Sequence, residues 1–301
     1  MTLLELNDAF ALPGHLRFKE GPGGLVVAEI ANGLGDCTVA LQGAHVTHFC
    51  PQGQAPVIWM SERTPYAPGK AIRGGVPVCW PWFGPHATDP QRPAHGIART
   101  ALWQVLETRV QADGQTFLRL GLPMTAATRA EWPHPATAEL EITVGRSLQL
   151  TLVTCNTGTD AMLLGEALHT YFQVSDVAQI RVSGLDGCAY LDKVAGSTRH
   201  TQQGPIQVDG EVDRIYLNPT ADSLIEDPGL QRRIRIASQG AGATVVWNPW
   251  VEKTSKMGDM AADSFRGMVC VETANAADQV VSVAPGAEHR LTAVYSVEPL
   301  V

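Results

Sequence analysis

Apolar and polar positions alternate along most of this chain. In Glu139–Val144 the apolar residues Leu140, Ile142 and Val144 alternate with Glu139, Glu141 and Thr143. After a turn at Gly145–Arg146, Leu148, Leu150 and Leu152 alternate with Gln149 and Thr151, and the segment ends at Asn156-Thr-Gly158. Successive side chains of an extended strand point to opposite faces, so each segment buries one face and the pair predicts a β-hairpin. Phe117–Leu122 repeats the pattern. So does Arg233–Ile236, which reaches Thr244–Trp247 through the turn Gly240-Ala-Gly242. Met268–Glu272, Val280–Val283 and Arg290–Val297 continue it toward the C-terminus.

Helical periodicity is nearly absent, and 29 glycines with 20 prolines interrupt the chain too often for long helices. The expected fold is all-β: a large antiparallel β-sandwich of two large sheets with few short helices. With no linker, charge block, low-complexity tract or internal repeat, residues 1–301 are expected to form a single domain. Residues 61–99, rich in Pro, Gly and aromatics, are expected to form a long functional loop.

Composition narrows the function. Hydrophobic residues make up 45% and charged residues 17%, as in a globular protein. A net charge of -8 argues against nucleic acid or an anionic membrane as partner. An anionic substrate would therefore need a local arginine cluster, and arginines outnumber lysines by 17 to 5. No run approaches the ~20 apolar residues of a membrane helix. The N-terminal stretch lacks a basic segment, so no signal peptide and a cytoplasmic location are expected. The six cysteines contain no C-x-x-C pair and read as free thiols of a reducing compartment.

Candidate chemistry concentrates in four segments: 71–85, 93–99, 166–172 with 212–216, and 245–250 with 268–272. Arg73 precedes a Gly-Gly pair whose amides could approach a ligand; alone it reads equally as a surface arginine in a turn. Arg99 follows a second glycine-containing loop. His95 and His169 lie in weakly charged, apolar surroundings and read either as satisfied core groups or as proton-transfer groups. Glu272 closes an apolar run, where burial would raise its pKa toward that of a useful base; the alternative is a strand that has already reached solvent. Asp213 could simply pair with Arg214. Among the seven tryptophans, Trp80 and Trp82 are the better candidates for stacking on a ligand because their loop also carries Arg73. His45 and His48 stand three apart in a strand-like run, on opposite faces, so no metal site is expected from them. No P-loop, G-x-G-x-x-G, G-x-S-x-G or H-E-x-x-H occurs.

Taken in order, the phrases IRGGVPVCWPWFGPH (72–86), AHGIART (94–100), EALHTYF (166–172), VDRIY (212–216), VVWNPW (245–250) and VCVETA (269–274) resemble the aldose 1-epimerase superfamily, and within it the hexose-6-phosphate 1-epimerase branch. The resemblance implies a galactose-mutarotase-like sandwich and a cofactor-free isomerase. It implies His169 as general acid and Glu272 as general base. His95 and Asp213 would contact the sugar, and Arg73 and Arg99 would hold a phosphate. Some relatives carry Gln before the histidine of the HG motif; Ala94 stands there in this chain, which removes one hydroxyl contact.

The chemistry accounts for these residue types. Anomer exchange opens the ring, rotates about C1–C2 and closes again. It needs one proton taken from the C1 hydroxyl and one given to the ring oxygen. His169 and Glu272 are expected to face a ligand-sized gap rather than touch. The expected partner is a small-molecule sugar phosphate, bound by a monomer. The competing readings are the same reaction on an unphosphorylated hexose, and a non-catalytic carbohydrate-binding or sensing protein on the same fold.

Overall fold

The computed structural model describes residues 1–300. Two eight-stranded antiparallel sheets make up most of it. One runs in the order Arg181–Ser183, Ser223–Asp227, Arg232–Gln239, Glu288–Pro299, Leu148–Asn156, Ala136–Val144, Thr116–Gly121, Gln104–Val110. The other, called here the site sheet, runs Thr198–Thr201, Ala189–Asp192, Val212–Leu217, Ala243–Asn248, Met268–Asn275, Glu166–Leu168, Val78–Cys79, with Tyr171–Gln173 also paired to Met268–Asn275. A four-stranded sheet spans Leu16–Glu20 to His45–Pro51. The α-helices among the described residues are short: Leu3–Phe10, Ala126–Glu131 and Trp250–Ser255.

The hairpin expected from alternation forms in register, with Leu140 opposite Leu152, Ile142 opposite Leu150 and Val144 opposite Leu148. These leucines and valines face the space between the two large sheets, where they join Leu168, Phe172, Val246, Val269 and Val271 in one core. Polar groups inside that core are paired: Trp80 Nε1 donates to Thr154 Oγ1 at 3.0 Å, and the Thr170 and Tyr295 hydroxyls meet at 2.5 Å. Unpaired, each would cost about 1–3 kcal/mol.

Two local features position the site. The turn at Gly240–Gly242 joins no hairpin; it carries the chain from Arg232–Gln239 in one sheet to Ala243–Asn248 in the other. Gly240 permits the crossing because a Cβ there would lie 2.0 Å from the Arg290 carbonyl. Second, all eight residues of Met268–Asn275 are buried. Val269 and Val271 face the core between the sheets, while Cys270, Glu272 and Ala274 point to the outer face, where loops cover them.

Candidate active site

The outer face of the site sheet is organised by register. Leu168 stands opposite Thr273 and Tyr171 opposite Cys270, so the intervening His169 faces Glu272 across the same strand pair. Glu272 pairs on its other side with Val245, which pairs with Ile215. One row along lie Tyr171, Cys270, Trp247 and Asp213. Residues of both rows line a cleft of about 500 Å³, together with Phe83, His95, Lys193, Lys253, Met257 and Arg73. A larger furrow of about 750 Å³ runs beside the N-terminal helix. It holds no such chemistry: its Arg17 is already bound to Glu29, at 2.6 Å.

His169 Nε2 lies 3.3 Å from Glu272 Oε1. The expectation of an open gap between them is therefore corrected: cross-strand neighbours on one face are held in contact range by the ladder itself. Each retains a buried polar atom without a protein partner, Nδ1 of His169 and Oε2 of Glu272. Tyr171, two residues on, stacks on the imidazole with an interplanar angle of 11° and a centroid separation of 5.1 Å.

Burial pushes the Glu272 carboxyl well above the usual carboxylate range, and the nearby Asp213 adds to the effect. Burial also pushes His169 well below its ordinary value, helped by His95 and Arg73. Both shifts favour the uncharged forms, the carboxylic acid of Glu272 and the neutral imidazole of His169. His95 is depressed to about 3 by burial, then by Arg99 and Arg73. Its Nδ1 accepts from the Gly84 amide at 3.4 Å, which fits a neutral ring. Asp213 is raised by burial, with Lys253 3.8 Å away. The pairing of Asp213 with Arg214 does not form, because neighbours along a strand face opposite ways. Arg214 reaches Asp192 at 3.4 Å instead.

Arg73 and Arg99 converge on a chamber of about 160 Å³ adjoining the cleft, shared with His95, His169, Tyr171 and Asp259. Arg73 donates from Nε to Asp259 Oδ2 and from Nη1 to the Tyr171 hydroxyl, each at 2.9 Å. Arg99 donates from Nη2 to the Ala94 carbonyl at 2.8 Å. The Gly-Gly pair after Arg73 serves packing rather than ligand approach. Gly75 N donates to the Trp59 carbonyl at 2.7 Å, and a Cβ on Gly75 would lie 2.3 Å from His45 Nε2.

Residues 27–296 match the sequence profile described as aldose 1-epimerase. The chain belongs to the aldose 1-epimerase family. A protein of Escherichia coli K12 named "Putative glucose-6-phosphate 1-epimerase" is 41% identical over 240 residues, covering 79% of each chain. A protein of the same name from Cenchrus ciliaris is 33% identical over 279 residues, covering 89% of this chain and 84% of that one. The crystal structure of a "putative mutarotase" from Salmonella typhimurium superimposes with a TM-score of 0.89 at 32% identity, covering 99% of this chain and 100% of that one. The protein is an epimerase, hence an isomerase, on the all-β sandwich of galactose-mutarotase-like proteins.

Within this epimerase two expected ligand contacts are corrected. Trp80 is fully buried in the core, with its ring edge-on to Trp132 at 4.9 Å. Trp82 donates its indole N–H to the Pro93 carbonyl and packs against His86, away from the cleft. Consecutive loop residues diverge, and the next aromatic, Phe83, is the one that enters the cleft. Sequence reasoning missed Tyr171, although it lies inside the EALHTYF phrase, and Trp247, inside VVWNPW. Asp259, Lys193 and Lys253 carried no local signal. One grouping able to ligate a cation does form: donor atoms of His169, Cys270 and Glu272 lie within 4.8 Å of one another. No helix among the described residues is long and apolar enough to cross a membrane.

Proposed function

We propose that this epimerase interconverts the α and β anomers of a hexose 6-phosphate, glucose 6-phosphate being the first candidate. The observation that carries the reading is the chamber of about 160 Å³ between Arg73 and Arg99, opening beside the His169–Glu272 pair. Two guanidinium groups at a polar chamber suit a phosphoryl dianion through charge-assisted hydrogen bonds. The adjoining cleft takes the sugar ring, with Trp247 and Phe83 as apolar walls and neutral His95 and Asp213 as hydroxyl partners. The relatives named as glucose-6-phosphate 1-epimerases support the same substrate class.

The ring oxygen and the C1 hydroxyl are bonded to one carbon. They present themselves side by side to His169 Nε2 and Glu272 Oε1, which are 3.3 Å apart. Glu272 takes the hydroxyl proton as the C1–ring oxygen bond breaks, and His169 delivers a proton to the ring oxygen; closure reverses both transfers. This needs ionised Glu272 and protonated His169, whereas burial favours the uncharged form of each. Transfer of one proton from Glu272 to His169, 3.3 Å away, supplies both forms at once. A phosphorylated substrate confined to the cell interior fits a cytoplasmic location.

The deciding experiment is exchange NMR at the anomeric position with glucose 6-phosphate, galactose 6-phosphate and free glucose. Faster exchange for a phosphosugar, lost in Arg99→Ala, is expected. Equal rates for glucose and glucose 6-phosphate would overturn the phosphate assignment, and no acceleration of any sugar would favour a sensor.

A further inference from the structure

We infer that His169, Cys270 and Glu272 form a chelating site for a thiophilic divalent cation, with Zn²⁺ the best match, whose occupation shuts the epimerase off. The three side chains supply the nitrogen, sulfur and oxygen donors that zinc favours. Their donor atoms all lie within 4.8 Å of one another. With zinc–ligand bonds of about 2.0–2.3 Å, tetrahedral donors stand roughly 3.3–3.6 Å apart. His169 Nε2 and Glu272 Oε1 already meet that spacing at 3.3 Å, so the remaining contraction falls to the Cys270 side chain.

His169 and Glu272 both line the cleft, so an ion can reach them from solvent. Cys270 is fully buried, packed with Tyr171, Trp247, Met260 and Met268. Cys270 is not among the residues lining the cleft, whereas His169 and Glu272 are, so its thiol would form the closed back of the site. Zinc binding displaces the thiol proton and the proton of the Glu272 carboxyl, both of which leave to water, and the thiolate and carboxylate together balance the charge of the ion. This balance matters because Arg73 and Arg99 stand nearby and would repel an uncompensated cation.

Binding itself depends only on these three side chains. Inhibition rests on the acid–base role proposed above, because the ion would occupy both proton-transfer groups. Cys270 makes no contact assigned to the reaction, so its removal separates the two.

Two measurements test the site. Co²⁺ titrated into the substrate-free protein should produce a thiolate-to-cobalt charge-transfer band that Zn²⁺ abolishes. The band should be missing in Cys270→Ala, and Co²⁺ should bind more weakly in Glu272→Gln, which keeps the thiol. Zn²⁺ should slow glucose 6-phosphate anomer exchange by at least about tenfold at saturation, with full recovery on adding a chelator. Even outer-shell changes weaken metal sites about 10–100-fold, so Cys270→Ala should raise the inhibitory Zn²⁺ concentration at least about a hundredfold while keeping exchange near the parent rate. Absence of the cobalt band, or equal zinc sensitivity of Cys270→Ala and the parent, would overturn the inference. A cobalt band in a protein inert toward every sugar would uphold the cation site and overturn the epimerization reading instead.

Discussion

Arg73 and Tyr171 are joined by a hydrogen bond of 2.9 Å from Nη1 to the phenol oxygen, and the same phenol ring lies parallel to the imidazole of His169. Tyr171 therefore connects the cation expected to hold the phosphate with the group expected to move the proton. Tyr171→Phe keeps the stacking and loses the anchor. A hydrogen bond to a charged group is worth about 1.5–3 kcal/mol, so kcat/KM for glucose 6-phosphate should fall roughly 10–100-fold, mostly through KM. Steady-state anomer-exchange rates would reveal it; an unchanged KM would show that Arg73 needs no such anchor.

Glu272→Gln and His169→Asn each remove one half of the pair that sits at 3.3 Å. Each should lower kcat by about 10²–10⁴-fold while phosphosugar binding persists. The double mutant should be little worse than the worse single mutant, because groups that act as a unit are strongly non-additive. Multiplicative losses would mean that the two act independently.

Gly75 has φ +68°, and a Cβ there would meet His45 Nε2 at 2.3 Å and the Val46 carbonyl at 2.4 Å. His45 is itself fixed by its 2.8 Å bond to the Gly74 carbonyl. Gly75→Ala should cost at least about 2 kcal/mol through the overlap and the left-handed backbone. It should also displace Arg73 and raise KM for the phosphosugar. Denaturant midpoints and KM together check this; a neutral substitution would show the loop to be compliant.

His95 has a folded pKa lowered to about 3, against an ordinary value of 6.5. A depressed histidine contributes stability that is fully present above pH 6.5 and is lost as pH falls toward 3. Acidification from pH 7 to 4 should therefore destabilise the parent more steeply than His95→Gln, by up to about 1.4 kcal/mol per pH unit. Urea titrations at several pH values give the two slopes. Parallel slopes would place His95 in contact with solvent in the folded state.

Trp80→Phe removes the indole donor to Thr154 from a fully buried position. The expected loss is about 1–3 kcal/mol of stability with KM unchanged. Phe83→Ala, by contrast, should raise KM with little loss of stability, since Phe83 lines the cleft. The pair of variants, compared by thermal melts and exchange kinetics, distinguishes a core aromatic from a cleft aromatic within one loop.

The sequence alone determined the class of fold. Strand alternation is a local property, written into neighbours such as Leu148, Leu150 and Leu152, and the hairpin it implies forms, with Leu140 opposite Leu152. The ordered phrases around Arg73, His95, Arg99, His169, Asp213 and Glu272 were enough to pick out residues that gather at one cleft and its side chamber. The tertiary structure decided the rest, because the remaining questions concern contacts between distant segments. Only the register of Tyr171 opposite Cys270, and hence of His169 opposite Glu272, turns two separate titratable residues into a touching pair. Asp259, paired to Arg73 across 186 positions, carries no local pattern that could announce it. Trp80, Trp82 and Phe83 fall within four residues but point into the core, along the surface and into the cleft. Periodicity cannot tell them apart, since in an irregular loop the direction of a side chain is dictated by what the loop packs against.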